Sequence, residues 1–268
     1  MLKDITLGQY FPGNSIAHKL DPRTKILLVM LYIIALFSAK GWMGYAVMAV
    51  TLAACVKVSH VGLRALVRGL KPLVFIIAFT GILNMFFTPD THYLWEWGIL
   101  RVSVKGIENE LFMVIRIMLL VMGTFLMTYT TSPIRLTDGL ESLLNPLKKI
   151  HVPVHELAMM MAIALRFIPT LIEETDKIMS AQKARGADFD SGNIFQKAKA
   201  LVPILVPLFI SAFRRADELA TAMECRCYHG GEGRTKLHVL KYQRRDYVAL
   251  AGGVVILALV VVLRRLGA

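Results

Sequence analysis

The sequence predicts an all-α, polytopic integral membrane protein that carries long amphipathic helices on its cytoplasmic side. Hydrophobic residues make up 56% of the 268 residues and charged residues only 19%, with a mean hydropathy of +0.56. This composition is too apolar for an ordinary soluble domain of that length. In addition, unbroken apolar runs dominate the first half, whereas amphipathic stretches interrupted by prolines dominate the second. The bilayer is therefore the expected solvent.

Apolar runs of nearly spanning length mark the expected membrane helices. The first two are separated only by Lys40-Gly41, which predicts a tight helical hairpin. Trp42 and Tyr45 are expected to anchor that hairpin at the membrane interface. The five predicted spans cover roughly residues 26–39, 41–57, 72–88, 110–130 and 246–263.

These spans divide the chain into three predicted parts. Residues 1–130 form an N-terminal membrane bundle of about four spans, and residues 246–268 form a C-terminal transmembrane helix. Between them, residues 131–245 form a cytoplasmic or interfacial region. A further span at 201–213 is disfavoured, because this run is short, contains two prolines and leads directly into charged residues.

Basic residues predict the orientation. The second connection carries Lys57, Arg64, Arg68 and Lys71 without an acid, so it should face the cytoplasm. Because Val58, Val61, Ala65 and Leu66 recur between these cations at helical spacing, the connection is expected to lie on the membrane surface as an amphipathic segment. The N-terminus and residues 131–245 are then inside and the C-terminus is outside, although Arg264 and Arg265 fit that last step poorly.

Charge and missing motifs exclude several functions. The net charge of +12 comes mainly from residues that flank spans, and no basic-aromatic motif accompanies it, so no nucleic-acid partner is predicted. The chain has no phosphate loop, zinc-protease helix or nucleophile elbow, so no catalytic, cofactor or metal residues are assigned. The three cysteines predict free thiols rather than a disulfide framework.

The most informative pattern is a repeat that ends in two arginines. Arg185 lies in Ala184-Arg185-Gly186, and Arg226 lies in Cys225-Arg226-Cys227. Each follows an amphipathic stretch with the same spacing of aspartate, aliphatic residue and alanine, so each helix delivers a guanidinium to its C-terminal end. The members of the two copies are Asp176, Ile178, Ala181 and Arg185, and Asp217, Leu219, Ala222 and Arg226.

Two interpretations of these arginines remain open from the residues alone. Gly186 and His229-Gly230-Gly231 supply helix stops, so each arginine could simply complement a helix dipole. Alternatively, the planar guanidinium could hold a carboxylate of a partner in two parallel hydrogen bonds. The duplication favours two docking sites. Within the predicted spans, Arg116 is equally compatible with an inter-helix contact and with a side chain that snorkels to the outer interface.

The N-terminal segment Tyr10-Phe11-Pro12-Gly13-Asn14-Ser15-Ile16-Ala17-His18-Lys19-Leu20-Asp21-Pro22-Arg23-Thr24-Lys25 resembles the opening of the T component of energy-coupling factor (ECF) transporters, the EcfT family. The two X-Arg-X elements resemble the paired coupling motifs of that family. The segment 230–236 looks like the branch whose T component is shared among several S components.

The resemblance implies a non-catalytic scaffold in the cell membrane, with its coupling region in the cytoplasm. Its implied partners are two ABC-type ATPase subunits, which bind the ATP, and a membrane S component that binds a vitamin or related micronutrient. Arg185 and Arg226 would dock into the ATPases. Two other readings stay open at this point, namely a self-contained secondary transporter and a membrane-embedded enzyme.

Overall fold

The computed structural model describes residues 10–87, 93–97, 100–187, 189, 193–230 and 239–266. It divides into two compact units. One takes in the described residues of Gly8–Ser142 and Leu240–Ala268, and the other those of Leu143–Val239. The helices are α1 (Ile16–Lys19), α2 (Pro22–Ser38), α3 (Gly41–Ser59), α4 (Leu63–Phe87), α5 (Val104–Thr130), α6 (Pro133–Leu144), α7 (Val154–Ala184), α8 (Ile194–Glu224) and α9 (Arg244–Arg265), with a 3₁₀ turn at Asn145–Ile150.

The predicted all-α membrane class is confirmed, with one small addition. Strands β1 (Tyr93–Trp97) and β2 (Leu100–Ser103) form an antiparallel hairpin between α4 and α5. By length and composition, four of the described helices could cross a membrane: α3, α5, α7 and α9, where the qualifying part of α5 is Gly106–Thr130. Helix α7 was predicted to lie in the cytoplasmic or interfacial region rather than across the bilayer. That placement stays a prediction.

Helices α2 and α9 pack side by side and run in the same direction. At their first turns, the backbone N–H of Asp21 donates to Oδ1 of Asp246 at 2.8 Å. The same number of residues further along each helix, Gly253 approaches Leu28 so closely that an added Cβ would lie 2.7 Å from its Cδ2 atom. The missing side chain of Gly253 thus allows the two helices to touch.

Helix α5 runs in the opposite direction to α2. The Nζ atom of Lys25, near the start of α2, donates to the carbonyl of Thr130 at the end of α5 at 2.8 Å. Tyr129 packs beside the first turns of α4, where its hydroxyl lies 3.4 Å from the carbonyl of Ala65. Helices α2, α4 and α9 therefore start at one end of this unit, and α9 ends at the opposite end. The outside position of the C-terminus stays a prediction.

The core of this unit lies where α2, α3, α4, α5 and α9 meet. Leu36 and Met48 are fully buried, and Val260 of α9 is nearly so. Helices that pack in a bilayer gain close contacts rather than a transfer from water, because lipid tails are as apolar as the side chains they replace. Other members of this cluster are Ala35, Leu52, Leu66, Leu119 and Tyr129.

Two expectations about the first half are wrong. Val61 and Leu66 are buried in the core rather than on a membrane surface, because α4 begins at Leu63 and runs without a break through Pro72. Tyr45 is not an interfacial anchor: it is 3% exposed, and Arg116 donates to its hydroxyl through Nε at 2.9 Å. This bond between α3 and α5 shows that Arg116 makes an inter-helix contact.

The tight hairpin was predicted correctly. Helix α2 ends at Ser38 and α3 begins at Gly41, which has a φ of +68°. A positive φ is easily adopted by glycine because it has no Cβ. Trp42 at the start of α3 is 56% exposed, and its position at the membrane interface stays a prediction.

Candidate coupling site

Helix α7 ends at Arg185 in a Schellman motif. The N–H of Ala187 donates to the carbonyl of Gln182 at 3.0 Å, and the N–H of Gly186 donates to that of Lys183 at 3.0 Å. Gly186 has a φ of +88°, the left-handed conformation that this motif requires after the last helical residues. Arg185 is the capping residue, and its ψ of 6° lies outside the helical range. The glycine in Ala184-Arg185-Gly186 therefore acts as the predicted helix stop.

Helix α8 ends at Arg226 in the same motif. The N–H of Tyr228 donates to the carbonyl of Met223 at 3.1 Å, and that of Cys227 donates to Glu224 at 2.8 Å. Cys227 has a φ of +55° and occupies the position that Gly186 occupies in α7. The predicted stop at His229-Gly230-Gly231 is thus wrong in position, because Cys227 already ends the helix.

The two ends also match in the turn before each arginine. The hydroxyl of Ser180 donates to the carbonyl of Asp176 at 2.7 Å, and that of Thr221 donates to the carbonyl of Asp217 at 2.9 Å. In both helices, the hydroxyl is therefore bonded to a backbone carbonyl of its own helix. The repeat seen in the sequence is therefore also a repeat of backbone and side-chain geometry.

Both guanidinium groups are free within the described part of the chain. Arg185 and Arg226 are exposed, and neither guanidinium has a hydrogen-bond or ion-pair partner among the described residues. The side chains next to them, Ala184, Cys225 and Cys227, are exposed as well. An exposed cation at a helix end, with no side-chain partner among the residues described, can pair with a carboxylate of another subunit.

The two arginines lie at opposite ends of an antiparallel helix pair. Near the middle, Nη2 of Arg215 in α8 donates to Oε2 of Glu174 in α7 at 2.9 Å. Near one end, the hydroxyl of Tyr228, just beyond α8, lies 3.1 Å from the sulfur of Met159, near the start of α7. Since a helix rises 1.5 Å per residue, Arg185 and Arg226 are separated by about 30 to 40 Å.

An apolar surface covers one side of α8. Phe209, Ile210 and Phe213 are 59% to 66% exposed and line a groove that ends at Arg214 and Asp217. Such a large apolar patch rimmed by charges marks contact with lipid or with another protein. The remaining side chains of the groove are Val202, Leu205 and Val206.

Sequence reasoning did not find the contact between Glu174 and Arg215. The signal was present, because the two residues are 41 positions apart, the same spacing that relates Arg185 to Arg226. No group of three or more His, Cys, Asp or Glu side chains within the described ranges has the arrangement of a metal site. Residues 231–236 of the segment that resembles the shared branch lie outside the described residues.

Comparison with known proteins places the chain in a family. Residues 13–237 match the family model CbiQ, described as cobalt transport protein. The chain is 52% identical over 263 residues to the energy-coupling factor transporter transmembrane protein EcfT of Ruminiclostridium cellulolyticum, covering 98% of both chains. The chain belongs to the CbiQ/EcfT family. Similar EcfT proteins occur in Clostridium kluyveri, 56% identical over 250 residues and 93% of both chains, and in Bacillus subtilis, 46% identical over 264 residues, 98% of this chain and 100% of the relative.

Membership in the CbiQ/EcfT family confirms the resemblance to the EcfT family predicted from the sequence. The family also gives the chain a coarse role, as a transmembrane component of a multisubunit ECF transporter. A transport subunit of this kind is a membrane protein, in agreement with the apolar helices described above. What the two arginine ends bind is a separate question.

Proposed function

We propose that this EcfT-family chain couples two ATPase subunits to a substrate-binding S component. Arg185 docks into one ATPase and Arg226 into the other, each through a carboxylate in a groove of the ATPase surface. ATP-driven movement of the ATPases shifts the two helix ends, and α7 and α8 pass that movement to the S component. The chain itself neither binds nor hydrolyses ATP.

The observation that carries this proposal is the equivalence of the two ends. Arg185 and Arg226 occupy the same position of the same capping motif, both are exposed, and they lie at opposite ends of an antiparallel pair. If either arginine served only to complement a helix dipole, no repeat of its surroundings would be needed. Two equivalent, widely separated cations instead suit two equivalent partner surfaces.

The apolar groove of α8 supports the second half of the proposal. Its phenylalanines and aliphatic side chains are exposed in the isolated chain, and a membrane-embedded S component offers the apolar surface that would cover them. Recognition of the vitamin or related micronutrient then belongs to the S component. The coupling chain supplies movement and no selectivity.

Co-purification tests the proposal directly. The tagged chain is extracted from its host in mild detergent, and every protein that accompanies it is identified and quantified. Two ATPase polypeptides, or two copies of one, together with a small membrane protein are expected. Recovery of the chain alone, combined with substrate transport by the pure chain in liposomes, would establish a self-contained carrier instead.

A further inference from the structure

We propose that Glu174 and Arg215 are positioning residues that fix the crossing of α7 and α8, so that movement of the Arg185 end is transmitted to the Arg226 end. This inference rests on the proposed function, and it assigns a role to residues that lie eleven positions before the two arginines. Its basis is the contact geometry at the centre of the helix pair.

Glu174 receives two donors from successive turns of α8. The hydroxyl of Ser211 donates to Oε1 of Glu174 in a short hydrogen bond, and Nη2 of Arg215 donates to Oε2 at 2.9 Å. One contact would leave the helices free to rotate about it. Two contacts to one carboxylate, spaced by a helical turn, restrict both sliding and rotation of α8 on α7.

The position of this contact follows from the repeat. Glu174 and Arg215 are 41 residues apart, as Arg185 and Arg226 are, so they are equivalent members of the two copies. In an antiparallel pair, equivalent residues of two copies meet where a local two-fold axis passes between the helices. The ion pair therefore marks the centre of an arrangement in which each half is a copy of the other.

Equal arms extend from this centre to the two arginines. From Glu174 to Arg185, and from Arg215 to Arg226, the chain rises about 16 Å along each helix, from eleven residues at 1.5 Å each. Forces of equal size on the two ends thus act at equal distances from the contact. A fixed centre converts displacement of one arm into a change of angle between the helices, which the other arm must follow.

In each helix a proline lies on the side of the contact that faces away from the arginine. Pro169 lies within α7 shortly before Glu174, and Pro207 lies within α8 shortly before Ser211. A proline inside a helix removes one backbone hydrogen bond and favours bending at that point. In each helix, the segment from the proline to the arginine therefore contains no further proline. The contact between the helices lies within this segment.

Substitutions at the contact test the inference in the complete complex. Glu174→Gln keeps an oxygen for Ser211 but removes the charge that holds Arg215. The reversed pair, Glu174→Arg with Arg215→Glu, restores opposite charges. Glu173→Gln is the matched control, because Glu173 is an exposed acid on the same helix. Each variant is co-expressed with the ATPases and the S component, purified and reconstituted in vesicles.

The measurements are ATPase co-purification, ATP hydrolysis and substrate uptake. For Glu174→Gln we expect co-purification within about twofold of wild type, and uptake per ATP hydrolysed lower by about fivefold, in the range of typical coupling between sites. The reversed pair should recover most of that loss, and Glu173→Gln should change nothing. A merely structural role would change the yield of the complex rather than the ratio of uptake to hydrolysis.

Defined results overturn the inference. A wild-type ratio in an assembled Glu174→Gln complex, or a reversed pair that does not recover, shows that the contact does not position the arms, while docking stands. If the wild-type chain recovers no ATPases, the proposed function fails first and this inference fails with it. If Glu174→Gln does not assemble, Ser211→Ala, which removes one donor only, is expected to lower the same ratio and decides the matter.

Discussion

The carboxylate of Asp246 accepts two backbone amides at once, from Asp21 at 2.8 Å and from Gln243 at 2.7 Å. The bond to Gln243 belongs to a capping box at the start of α9, and the bond to Asp21 joins that start to the start of α2. Asp246 is only 1% exposed. One buried carboxylate therefore begins the last helix and fixes it to the first long one.

Replacement of Asp246 by Ala should destabilise the membrane unit. The buried amide of Asp21 would lose its acceptor and the more exposed amide of Gln243 would lose its cap, which together cost about 2 to 4 kcal/mol in the free energy of unfolding. Thermal or denaturant unfolding of the purified chain in detergent measures this. Glu108→Ala, at an exposed acid of α5, is the control and should change stability by less than about 0.5 kcal/mol. Equal stability of both variants would refute the role of Asp246.

Charge reversal of the arginines should release the ATPases. Arg185→Glu or Arg226→Glu would place like charges together at a docking site, at a cost on the order of 2 to 5 kcal/mol or more. The double reversal should abolish co-purification of the ATPases and ATP-dependent uptake, while membrane insertion and S-component binding persist.

Lys183→Glu is the matched control for the reversals. Lys183 is exposed on the same last turn, but it lies two residues away and therefore on another side of the helix. It should retain most ATPase binding. If the double arginine variant retains wild-type binding and uptake, the arginines only complement the helix ends.

Exchange of the residues that end the two helices should shift stability in opposite directions. Gly186→Ala forces a side chain into a φ of +88°, which costs about 1 kcal/mol although no atom lies within 4 Å of the added Cβ. Cys227→Gly removes a similar strain at a φ of +55° and should stabilise α8 by up to about 1 kcal/mol. Unfolding in detergent checks both, and shifts of the same sign would contradict the shared motif.

Side-specific labelling should fix the orientation. In a variant without native cysteines, Arg64→Cys and Arg68→Cys should resist an impermeant thiol reagent added outside intact cells, since the basic start of α4 is predicted to face the cytoplasm. Lys40→Cys, at the exposed turn between α2 and α3, should be labelled, as should Leu266→Cys beyond α9. Labelling of positions 64 and 68 from outside would show that the predicted orientation is wrong.

The purified chain should neither bind nor hydrolyse ATP. The sequence has no phosphate loop, and the coupling role assigns nucleotide chemistry to separate subunits. Equilibrium binding with a fluorescent ATP analogue checks this, using the assembled complex as the positive control. Saturable binding to the chain alone would contradict the assignment.

The sequence alone determined the helical membrane class and the two arginine ends. Apolar runs and amphipathic periods are local, so they predict helices such as α3 and α7 without knowledge of what packs on them. The repeat around Arg185 and Arg226 is likewise visible in the order of residues. Gly186 predicts the end of α7, because glycine readily adopts a positive φ.

Only the tertiary structure decided which faces meet. A run in a membrane protein is equally apolar whether it faces lipid or another helix, so nothing in the sequence distinguished buried Leu66 from a surface residue. The burial of Tyr45 was likewise not predictable, because its partner Arg116 lies on α5, far along the chain. The meeting of Glu174 and Arg215 needed the antiparallel arrangement of α7 and α8, because contacts between distant residues depend on how helices pack rather than on their periods.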